Sequence, residues 1–329
     1  MKKFATGLAA LGVVGLLAAC GGADDTTASA GSKSASDTGA KCNADVTVAN
    51  LAVSNAAAVV LGVQKGFFKD EGLNVTLRDT QAQSTQPAVV SGEAQFAFTN
   101  VPAVIAATSN GLPIRVVASA AAYPAKGDPP SIEVVAKAGS GITKPKDLEG
   151  KKIAVDTLYQ LPHLSLIQAA RAAGVDPSTF KISEVPYPAM QAAVESGQVD
   201  AADMGDPFLT NAVKAGFTEV LPNNQGLKDG AVQAVWVTSA QYLASDADVV
   251  ACFQRAVKTS NEYAVAHLDE VRNALPTFTK VPAPLAAVIR MPDYSATLDK
   301  KPFEDYMTLM LENKVIKKEV DLKEVIPSS

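Results

Sequence analysis

Polar side chains recur where the predicted strands of this chain end and its predicted helices begin. The set consists of Ser54, Asn55, Ser84, Thr85, Thr99, Asn100, Tyr159, Gln160 and Asp206. The first backbone N–H groups of a helix have no partner within it, and the helix dipole places partial positive charge there. Such positions bind anions and other hydrogen-bond acceptors, although the same residue types also cap their own helices. These residues are therefore predicted to line a ligand site, with capping alone as the alternative for each.

Asp206 and several aromatic residues bear on what such a site would bind. Asp206 precedes a predicted helix at Pro207, so its carboxylate either caps that helix, which we favour, or accepts a hydrogen bond from an amine or amidine. An aromatic wall is a further expectation, with core packing as the default for each member: Tyr123, Tyr159, Tyr187, Phe208 and Trp236. No arginine falls in these segments, so the bidentate clamp typical of anion sites is not expected. The charge of the ligand therefore stays open.

The chain offers few groups for catalysis or metal binding. Its two histidines are His163, which follows Pro162 at the start of a predicted helix, and His267, and neither has a second His or Cys at metal-ligand spacing. No nucleophile elbow, Walker A loop or dinucleotide-binding glycine motif occurs. The formal net charge is -5 and no run of Lys or Arg is present. We therefore expect no enzyme, no metal, no cofactor and no nucleic-acid partner.

Strands and helices alternate along the chain. Predicted strands cover residues 46–49, 75–77, 96–98, 114–118, 132–136, 153–155, 181–185, 201–204 and 232–238. Predicted helices cover residues 55–65, 102–110, 162–173, 188–196, 207–215, 248–268, 282–289 and 302–315, and Pro87 is expected in the first turn of another. This alternation is typical of βα units around parallel sheets, which is an α/β fold. In such sheets ligands lie beyond the carboxyl ends of the strands, where the polar residues fall.

A short internal repeat predicts two lobes. A Ser-Gly step, a short strand and a helix opened by proline occur at residues 91–102 and again at residues 196–207. Chance is the alternative for so short a pattern. The chain of 329 residues also exceeds the size at which a single core tends to split. Two similar α/β lobes explain both observations.

Three further motifs point to a known family. They are Lys65-Gly66-Phe67-Phe68 with Glu71-Gly72-Leu73, Leu148-Glu149-Gly150-Lys151-Lys152, and Ser196-Gly197 with Asp206-Pro207-Phe208. In this order they resemble the solute-binding proteins of ABC transporters, in the branch for nitrate, sulfonate, taurine and thiamine-pyrimidine precursors, over residues 46–268. The resemblance implies a type II periplasmic-binding fold with two α/β lobes, a ligand cleft and two crossover strands near residues 118–123 and 232–238. Lobe 1 would hold residues 45–120 and 236–329, lobe 2 residues 121–235, and Trp236 would reach the ligand from the return crossover.

The same resemblance implies a function. The protein would capture a small organic or anionic solute by hinged closure of its lobes and deliver it to the permease of an ABC importer. A monomer is expected. One alternative is an interaction lipoprotein that kept the fold without transport. Another is an enzyme like those that form pyrimidine precursors, but the cysteine-rich segment on which such enzymes rely has no counterpart here.

The N-terminal residues predict that the protein is exported from the cytoplasm. Lys2 and Lys3 precede an apolar run, residues 4–19, that ends at Cys20 and resembles a bacterial lipobox. The run is shorter than the roughly 20 residues that a spanning helix needs. Residues 1–19 are thus predicted to be a signal peptide, Cys20 to carry palmitate and other lipid, and residues 20–44 to form a flexible tether on the extracytoplasmic face of the cell membrane. An ordinary cleaved signal and a retained anchor are the alternatives.

Cys42 and Cys252 form an even pair once Cys20 is set aside. Disulfides persist in oxidising compartments, so a bridge between these two residues is predicted. One buried thiol and one exposed thiol are the alternative. A bridge would join the start of the folded body to its last third.

Overall fold

The computed structural model describes residues 41–125, 127–294 and 297–326. These residues hold two five-stranded sheets. The first has the order β2-β1-β3-β10-β4 and contains β1 (Ala44–Asn50), β2 (Leu73–Asp79), β3 (Phe96–Asn100), β4 (Ile114–Ala122) and β10 (Val232–Ser239). The second has the order β7-β6-β8-β5-β9 and contains β5 (Ile132–Ala136), β6 (Lys152–Val155), β7 (Lys181–Glu184), β8 (Ala201–Gly205) and β9 (Thr218–Pro222).

Helices connect the strands of each sheet and cover their faces. The first group is α1 (Ala57–Lys65), α2 (Phe67–Asp70), α3 (Ala82–Val90), α4 (Val101–Ser109), α5 (Leu161–Ala172), α6 (Tyr187–Glu195) and α7 (Phe208–Lys214). The second group is α8 (Ala240–Ser245), α9 (Ala247–Ala266), α10 (Leu268–Phe278), α11 (Ala283–Ala286), α12 (Lys301–Glu312) and α13 (Leu322–Val325). Single 3-10 turns occupy Ser54–Ala56, Pro145–Leu148 and Pro177–Thr179. No helix among these described residues has the length and hydropathy needed to cross a membrane.

Strand register places the carboxyl ends of the parallel strands at one edge of each sheet. In the first sheet Asn50 lies opposite Asp79, and the antiparallel β10 enters at the same edge, with Val232 opposite Ala122. In the second sheet the antiparallel β5 starts opposite Gly205, at the end of β8. The two chain crossings, residues 123–131 and 223–231, therefore join the carboxyl edge of one sheet to that of the other. Because each crossing has so few residues, it spans at most about 30 Å.

The crossings lie farther along the chain than the sequence predicts. Residues 118–122 and 232–238 belong to β4 and β10, which pair with each other inside the first sheet. Continuous apolar stretches favour the interior of a sheet, so both segments are strands of lobe 1 and the crossings follow β4 and precede β10. The crossings contact one another, because the Tyr123 N–H donates to the Ala231 carbonyl at 3.0 Å. Asn224 Nδ2 also donates to the Pro124 carbonyl at 3.1 Å.

Pro87 and β9 also differ from the sequence-based expectations. Pro87 lies inside α3 rather than in its first turn, because the helix begins five residues earlier at Ala82. The exposed ring of Pro87 faces solvent in a short helix, where the loss of one N–H is tolerated. Strand β9 pairs with β5 at the edge of the second sheet, and its apolar content is too small to reveal it in the sequence.

The two lobes share a continuous apolar contact. The helix α5 follows a strand of the second sheet, yet its side chains Leu161, Leu164 and Ile167 belong to the core cluster that contains α4 and α12. A buried hydrogen-bond chain crosses the same contact, where the Ser165 hydroxyl lies 2.7 Å from both Tyr123 and Tyr306 hydroxyls. The two lobes are therefore packed together on this side of the molecule.

The N-terminal end of the described chain is fixed to lobe 1 by a disulfide between Cys42 and Cys252 of α9. The backbone around Cys42 also packs closely against Gly72, whose φ is +79°. A Cβ atom at Gly72 would lie 1.8 Å from the Cys42 carbonyl oxygen, so only glycine fits there.

Candidate functional site

Four loops lie at the carboxyl edges of the two sheets, where open α/β sheets bind ligands. We call them the cleft loops, and they comprise residues 51–56, 100–103, 156–163 and 206–210. The first two belong to lobe 1 and precede α1 and α4, and the other two belong to lobe 2 and precede α5 and α7. Helices that begin at these edges direct their free N–H groups toward the space between the lobes.

In lobe 1, Asn100 caps α4 and keeps one polar group free. Its Oδ1 accepts a hydrogen bond from the Ala103 N–H at 2.9 Å, and Pro102 occupies the first turn, where an N–H is not needed. Its Nδ2 has no protein partner in the described part of the chain. The half-buried Asn55 also has no side-chain partner there, whereas the carbonyl of Ser54 accepts a hydrogen bond from the Tyr294 hydroxyl at 2.6 Å. Asn55 and Asn100 are thus available to a ligand.

The other polar residues predicted in lobe 1 serve the fold. Because α3 begins at Ala82, Thr85 lies inside it and donates from Oγ1 to the Ala82 carbonyl at 3.0 Å. Thr99 is only 4% exposed and accepts from Gln86 Nε2 at 2.8 Å. Ser84 is exposed on the first turn of α3. The expected ligand roles of Thr85 and Thr99 are therefore corrected to packing roles, since their hydroxyls are already used.

Trp236 is a core residue rather than a cleft residue. Its side chain is 0% exposed, and its ring meets Phe98 and Phe253 edge-on at centroid distances of 5.5 and 6.1 Å. The indole belongs to the core cluster that contains Phe253 of α9, which packs against it. The predicted ligand contact of Trp236 is corrected for that reason.

The predicted aromatic wall does not form as a set. Tyr123 is buried in the hydrogen-bond chain at the packed side of the lobes, and Tyr187 stacks on Phe208 at 5.8 Å inside lobe 2. Among these aromatic residues Tyr159 alone exposes more than a third of its surface.

Asp206 is occupied by two backbone N–H groups. Its Oδ1 accepts from Thr210 in the first turn of α7 at 2.9 Å, which is the predicted capping role. Its Oδ2 accepts from the Arg290 N–H at 2.7 Å, so a group of this chain fills the place suggested for a ligand amine. Burial raises the pKa of Asp206, and these hydrogen bonds oppose that rise. The Arg290 guanidinium in turn pairs with Glu133 at 3.1 Å and with Glu219.

The helix α5 of lobe 2 begins without a side-chain cap. Gln160 occupies the capping position in extended backbone geometry, but its side chain makes no capping hydrogen bond. The Leu164 N–H donates to the Gln160 carbonyl at 3.0 Å as the first bond of the helix. The N–H groups of Leu161 and His163 precede that bond and have no acceptor within the described residues, so they remain available at the cleft.

His163 is the residue of this site that the sequence analysis did not select. It is 5% exposed, and its Nδ1 accepts a hydrogen bond from the Tyr159 N–H at 2.9 Å. Tyr159 has a φ of +57°, and this left-handed backbone turns its N–H back onto the histidine ring. An Nδ1 that accepts is unprotonated, so the neutral ring carries its proton on Nε2. Burial lowers the pKa of His163 to about 4, against a smaller opposing effect of Glu184.

A signal for His163 does exist in the sequence. A histidine directly after a proline, in the first turn of a helix that follows a strand, stands where ligands of open α/β sheets are bound. Metal spacing was the wrong criterion for it. In the described part of the chain no group of three His, Cys, Asp or Glu side chains is arranged to hold a metal ion.

Four cavities of about 430 to 560 Å³ among the described residues lie away from the cleft loops. One of about 560 Å³ lies between residues 288–294 and the first crossing, and one of about 520 Å³ runs along α9 beside β4. Both are open grooves lined largely by apolar side chains, and neither is lined by a residue of the cleft loops. The cleft loops therefore remain the better candidate site, because the starts of α4 and α5 place unpartnered donors of the described residues at the strand ends of both lobes.

Two α/β lobes joined by two short crossings, with a polar cleft at the facing strand ends, define the periplasmic-binding-protein fold. Solved structures share it. The aliphatic sulphonate binding protein SsuA from Escherichia coli is 17% identical, covers 86% of this chain and 92% of its own, and has a TM-score of 0.69. The nitrate-binding protein NrtA from Synechocystis PCC 6803 is 15% identical, covers 87% and 86%, and has a TM-score of 0.66.

Sequence comparison places the chain more narrowly. The taurine-binding periplasmic protein of Escherichia coli (strain K12) is 28% identical over 226 residues, which are 68% of either chain. The family model described as NMT1/THI5 like matches residues 53–271. The chain belongs to the NMT1/THI5-like family, as the motif resemblance predicts.

Proposed function

We propose that this chain is the extracytoplasmic solute-binding protein of an ABC importer. Family membership supports this role, as do the named functions of relatives that bind taurine, sulfonate and nitrate. The observation that carries the proposal is the pair of helix starts, α4 and α5, that offer free donors from opposite lobes. The relatives found are binding proteins, so a binding role without catalysis is the conclusion.

The ligand class that fits these donors is a small solute with an oxygen acceptor. Asn55, Asn100, Tyr159 and Gln160 are the proposed contacts from the sequence-based set, and none carries a charge. Closure of the lobes over the solute would bend the chain at residues 123–131 and 223–231. Ligand can favour the closed form only through tighter binding to it, so the contacts must come from both lobes.

A melting screen tests the role directly. Taurine, methanesulfonate, nitrate, amino acids and pyrimidines are added in excess, and a ligand that binds only the folded protein raises the melting temperature. A shift with one class, confirmed by calorimetry, supports solute capture and names the class. No shift with any compound would contradict the proposal and favour an interaction lipoprotein that kept the fold without transport.

We also propose that Cys20 anchors the protein to the outer face of the cell membrane. Cys20, the predicted signal and residues 20–40 of the predicted tether lie outside the described residues, so the support is the lipobox resemblance and the periplasmic relatives. Residues 41–44 of the predicted flexible tether are described and are fixed to lobe 1, because Cys42 is bridged to Cys252 and Ala44 begins β1. Labelling with palmitate tests it. Label that persists after Cys20→Ala would contradict the proposal, and loss of label with unchanged melting would support it.

The lobe assignment is part of the same proposal. The predicted bounds were residues 45–120 and 236–329 for lobe 1 and residues 121–235 for lobe 2, but residues 121–122 and 232–235 belong to β4 and β10 of the first sheet. Lobe 1 would therefore move as one body up to Ala122 and again from Val232, and the part of the chain between the two crossings as the other, with a monomer docking on the permease. Small-angle scattering should show compaction when a binding solute is added. An unchanged radius with a solute shown to bind would contradict hinged closure.

A further inference from the structure

Asp203 is a buried carboxyl group that the candidate solute site does not use. It lies in the middle of β8, which runs between β6 and β5, and it is 0% exposed. Among the described residues no Lys, Arg or His side chain forms an ion pair with it, and its charged neighbour is Glu133. An ionised carboxylate buried without a cation is costly, so such a group binds a proton instead. The surroundings of Asp203 therefore favour its neutral form.

Asn223, the first residue of the second crossing, is the hydrogen-bond partner of Asp203. Its Nδ2 lies 2.9 Å from each oxygen of the carboxyl group and 3.2 Å from the Pro162 carbonyl oxygen. Its Oδ1 is buried and has no partner within the described part of the chain. Three acceptors thus surround a nitrogen that has two hydrogens, while the amide oxygen is unused. A buried acceptor without a donor costs free energy, so a donor for Oδ1 would stabilise this arrangement.

We propose that Asp203 keeps a proton at neutral pH, and that its carboxyl group and the Asn223 amide form a closed pair of hydrogen bonds. The carboxyl O–H donates to Oδ1 of Asn223, and Nδ2 of Asn223 donates to the other carboxyl oxygen. The second N–H of the amide stays on the Pro162 carbonyl. Because Nδ2 already contacts both carboxyl oxygens, a small rotation of the amide is enough to form the pair. One proton thus accounts for both the buried carboxyl group and the unused amide oxygen.

None of the ionisable groups that face Asp203 is a cation. They are Glu133 on β5, Tyr123 at the first crossing and Tyr187 on α6. Burial raises the pKa of Asp203 well above its usual range, the hydrogen bond from Asn223 opposes this rise, and the charge of Glu133 adds to it. These groups agree with the neutral form that the geometry favours.

The pair would fix the beginning of the second crossing to lobe 2. The Asn223 N–H donates to the Ile132 carbonyl at 3.2 Å, and the Asn223 side chain holds Pro162 of a cleft loop. Asp203 is therefore a positioning residue, because it acts on the crossing and on the cleft loop through Asn223.

Infrared spectroscopy of the protein without solute tests for the proton. A protonated carboxyl group has a C=O stretch at higher frequency than the bands of a carboxylate. Labelling with ¹³C-aspartate separates Asp203 from Glu133, whose pKa is raised by burial to about 8. At neutral pH we expect such a band that moves with the label, is lost in Asp203→Asn and is retained in the control Asp206→Asn. The absence of a labelled band, or a band that Asp203→Asn leaves unchanged, overturns the inference.

Asn223→Leu distinguishes the pair from a carboxyl group that is protonated but unpaired. Leucine is close to asparagine in shape and has no polar group, so the Asp203 C=O should lose its hydrogen bond and stretch at higher frequency. The Asn223 N–H donates to Ile132, and the N–H at this position should exchange with solvent about tenfold faster in the variant. An unchanged frequency overturns the pair, and unchanged exchange overturns its positioning role. Neither measurement uses Asp203→Asn, so both remain informative if that variant does not fold.

The pH dependence of unfolding supplies a sign that is independent of the spectra. If Asp203 is protonated in the folded protein, the folded state binds that proton more tightly than the unfolded chain does. The stability that Asp203 contributes is then greatest below about pH 4 and falls as the pH rises toward neutrality. The unfolding free energy of the unaltered protein, measured relative to Asp203→Asn in urea, should therefore decrease over this range. A constant or increasing difference shows an ionised Asp203 and overturns the inference. None of these measurements uses a solute, so the inference and the proposed function can fail separately.

Discussion

The starts of α4 and α5 are alike in position and opposite in chemistry. Each follows the end of a parallel strand at the cleft, and each carries a proline in its first turn. In α4 the Asn100 side chain accepts the Ala103 N–H, whereas in α5 the corresponding donors of Leu161 and His163 are unused. A capping side chain occupies the N–H groups of its own helix, whereas a ligand can bind only to helix N–H groups that no capping side chain occupies. Lobe 2 is therefore expected to hold the polar head of the ligand.

The largest expected effect concerns the buried ring of His163. Its pKa is lowered from 6.5 to about 4 by burial, so the folded state binds a proton less tightly than the unfolded state. The stability it contributes is present above pH 6.5 and is lost as the pH falls toward 4. Integrated over this window, the loss is about 3 kcal/mol of unfolding free energy.

Urea unfolding at several pH values measures this dependence. His163→Asn should remove that part of the acid destabilisation that the unaltered protein shows between pH 6.5 and 4. The exposed ring of His267 provides the control, because His267→Asn should retain the full dependence. Parallel pH profiles for His163→Asn and the unaltered protein would show that the ring is not buried as a neutral group.

The next effect concerns Asp206, whose two carboxylate oxygens both accept hydrogen bonds, whereas Asn100 keeps its Nδ2 free. Asp206→Ala leaves the N–H groups of Thr210 and Arg290 without their acceptor. The expected loss is about 2 kcal/mol in unfolding free energy, since a cap and a second buried bond go together. Asp206→Asn keeps one acceptor and should lose less. An unchanged stability of Asp206→Ala would return Asp206 to the set of free cleft residues.

The capped end of α4 predicts a smaller effect. Asn100→Ala removes the acceptor of the Ala103 N–H and should lower the unfolding free energy by about 1 kcal/mol. Asn100→Asp preserves the capping oxygen but removes the free amide N–H, so it should fold normally and bind solute less well. Calorimetry and urea unfolding of the two variants separate the roles. Identical solute affinity of Asn100→Asp and the unaltered protein would confine Asn100 to capping.

The sequence was sufficient to predict those strands and helices that depend on the local pattern of residues. The strand at residues 132–136 and the helix that begins near Pro162 are predicted closely, because apolar alternation and proline position act locally. The crossings were placed too early, because the insertion of β10 between β3 and β4 is decided by pairing with distant residues. Trp236 was misassigned for the same reason.

The site was harder to predict than the fold. Asn100 and Asp206 have the residue types of caps, and the structure uses them as caps. His163 Nδ1 accepts the Tyr159 N–H only because Tyr159 adopts a φ of +57°. Tyrosine rarely takes this conformation, and no neighbouring residue in the sequence predicts it. Whether a polar residue caps its own helix or is free to bind a ligand depends on backbone conformations and contacts that form only in the folded protein.

The smallest and sharpest prediction converts the start of α5 into one like that of α4. Gln160 already has the extended backbone of a capping residue, with a φ of -89° and a ψ of 176°, so Gln160→Ser should cap the helix without rebuilding the loop. The new oxygen would accept the His163 N–H and raise the unfolding free energy by about 0.5 kcal/mol. It would also occupy the His163 N–H, which is one of the free donors proposed to bind the solute, so solute affinity should fall while stability rises. Gln160→Ala, which adds no acceptor, is the matched control, because both variants lose the proposed contact of the Gln160 side chain and only Gln160→Ser caps the helix. Gln160→Ser should therefore bind solute more weakly than Gln160→Ala. If Gln160→Ser is more stable than Gln160→Ala and binds solute equally well, the open end of α5 is not where the ligand binds, and the contrast between the two helices is one of packing alone.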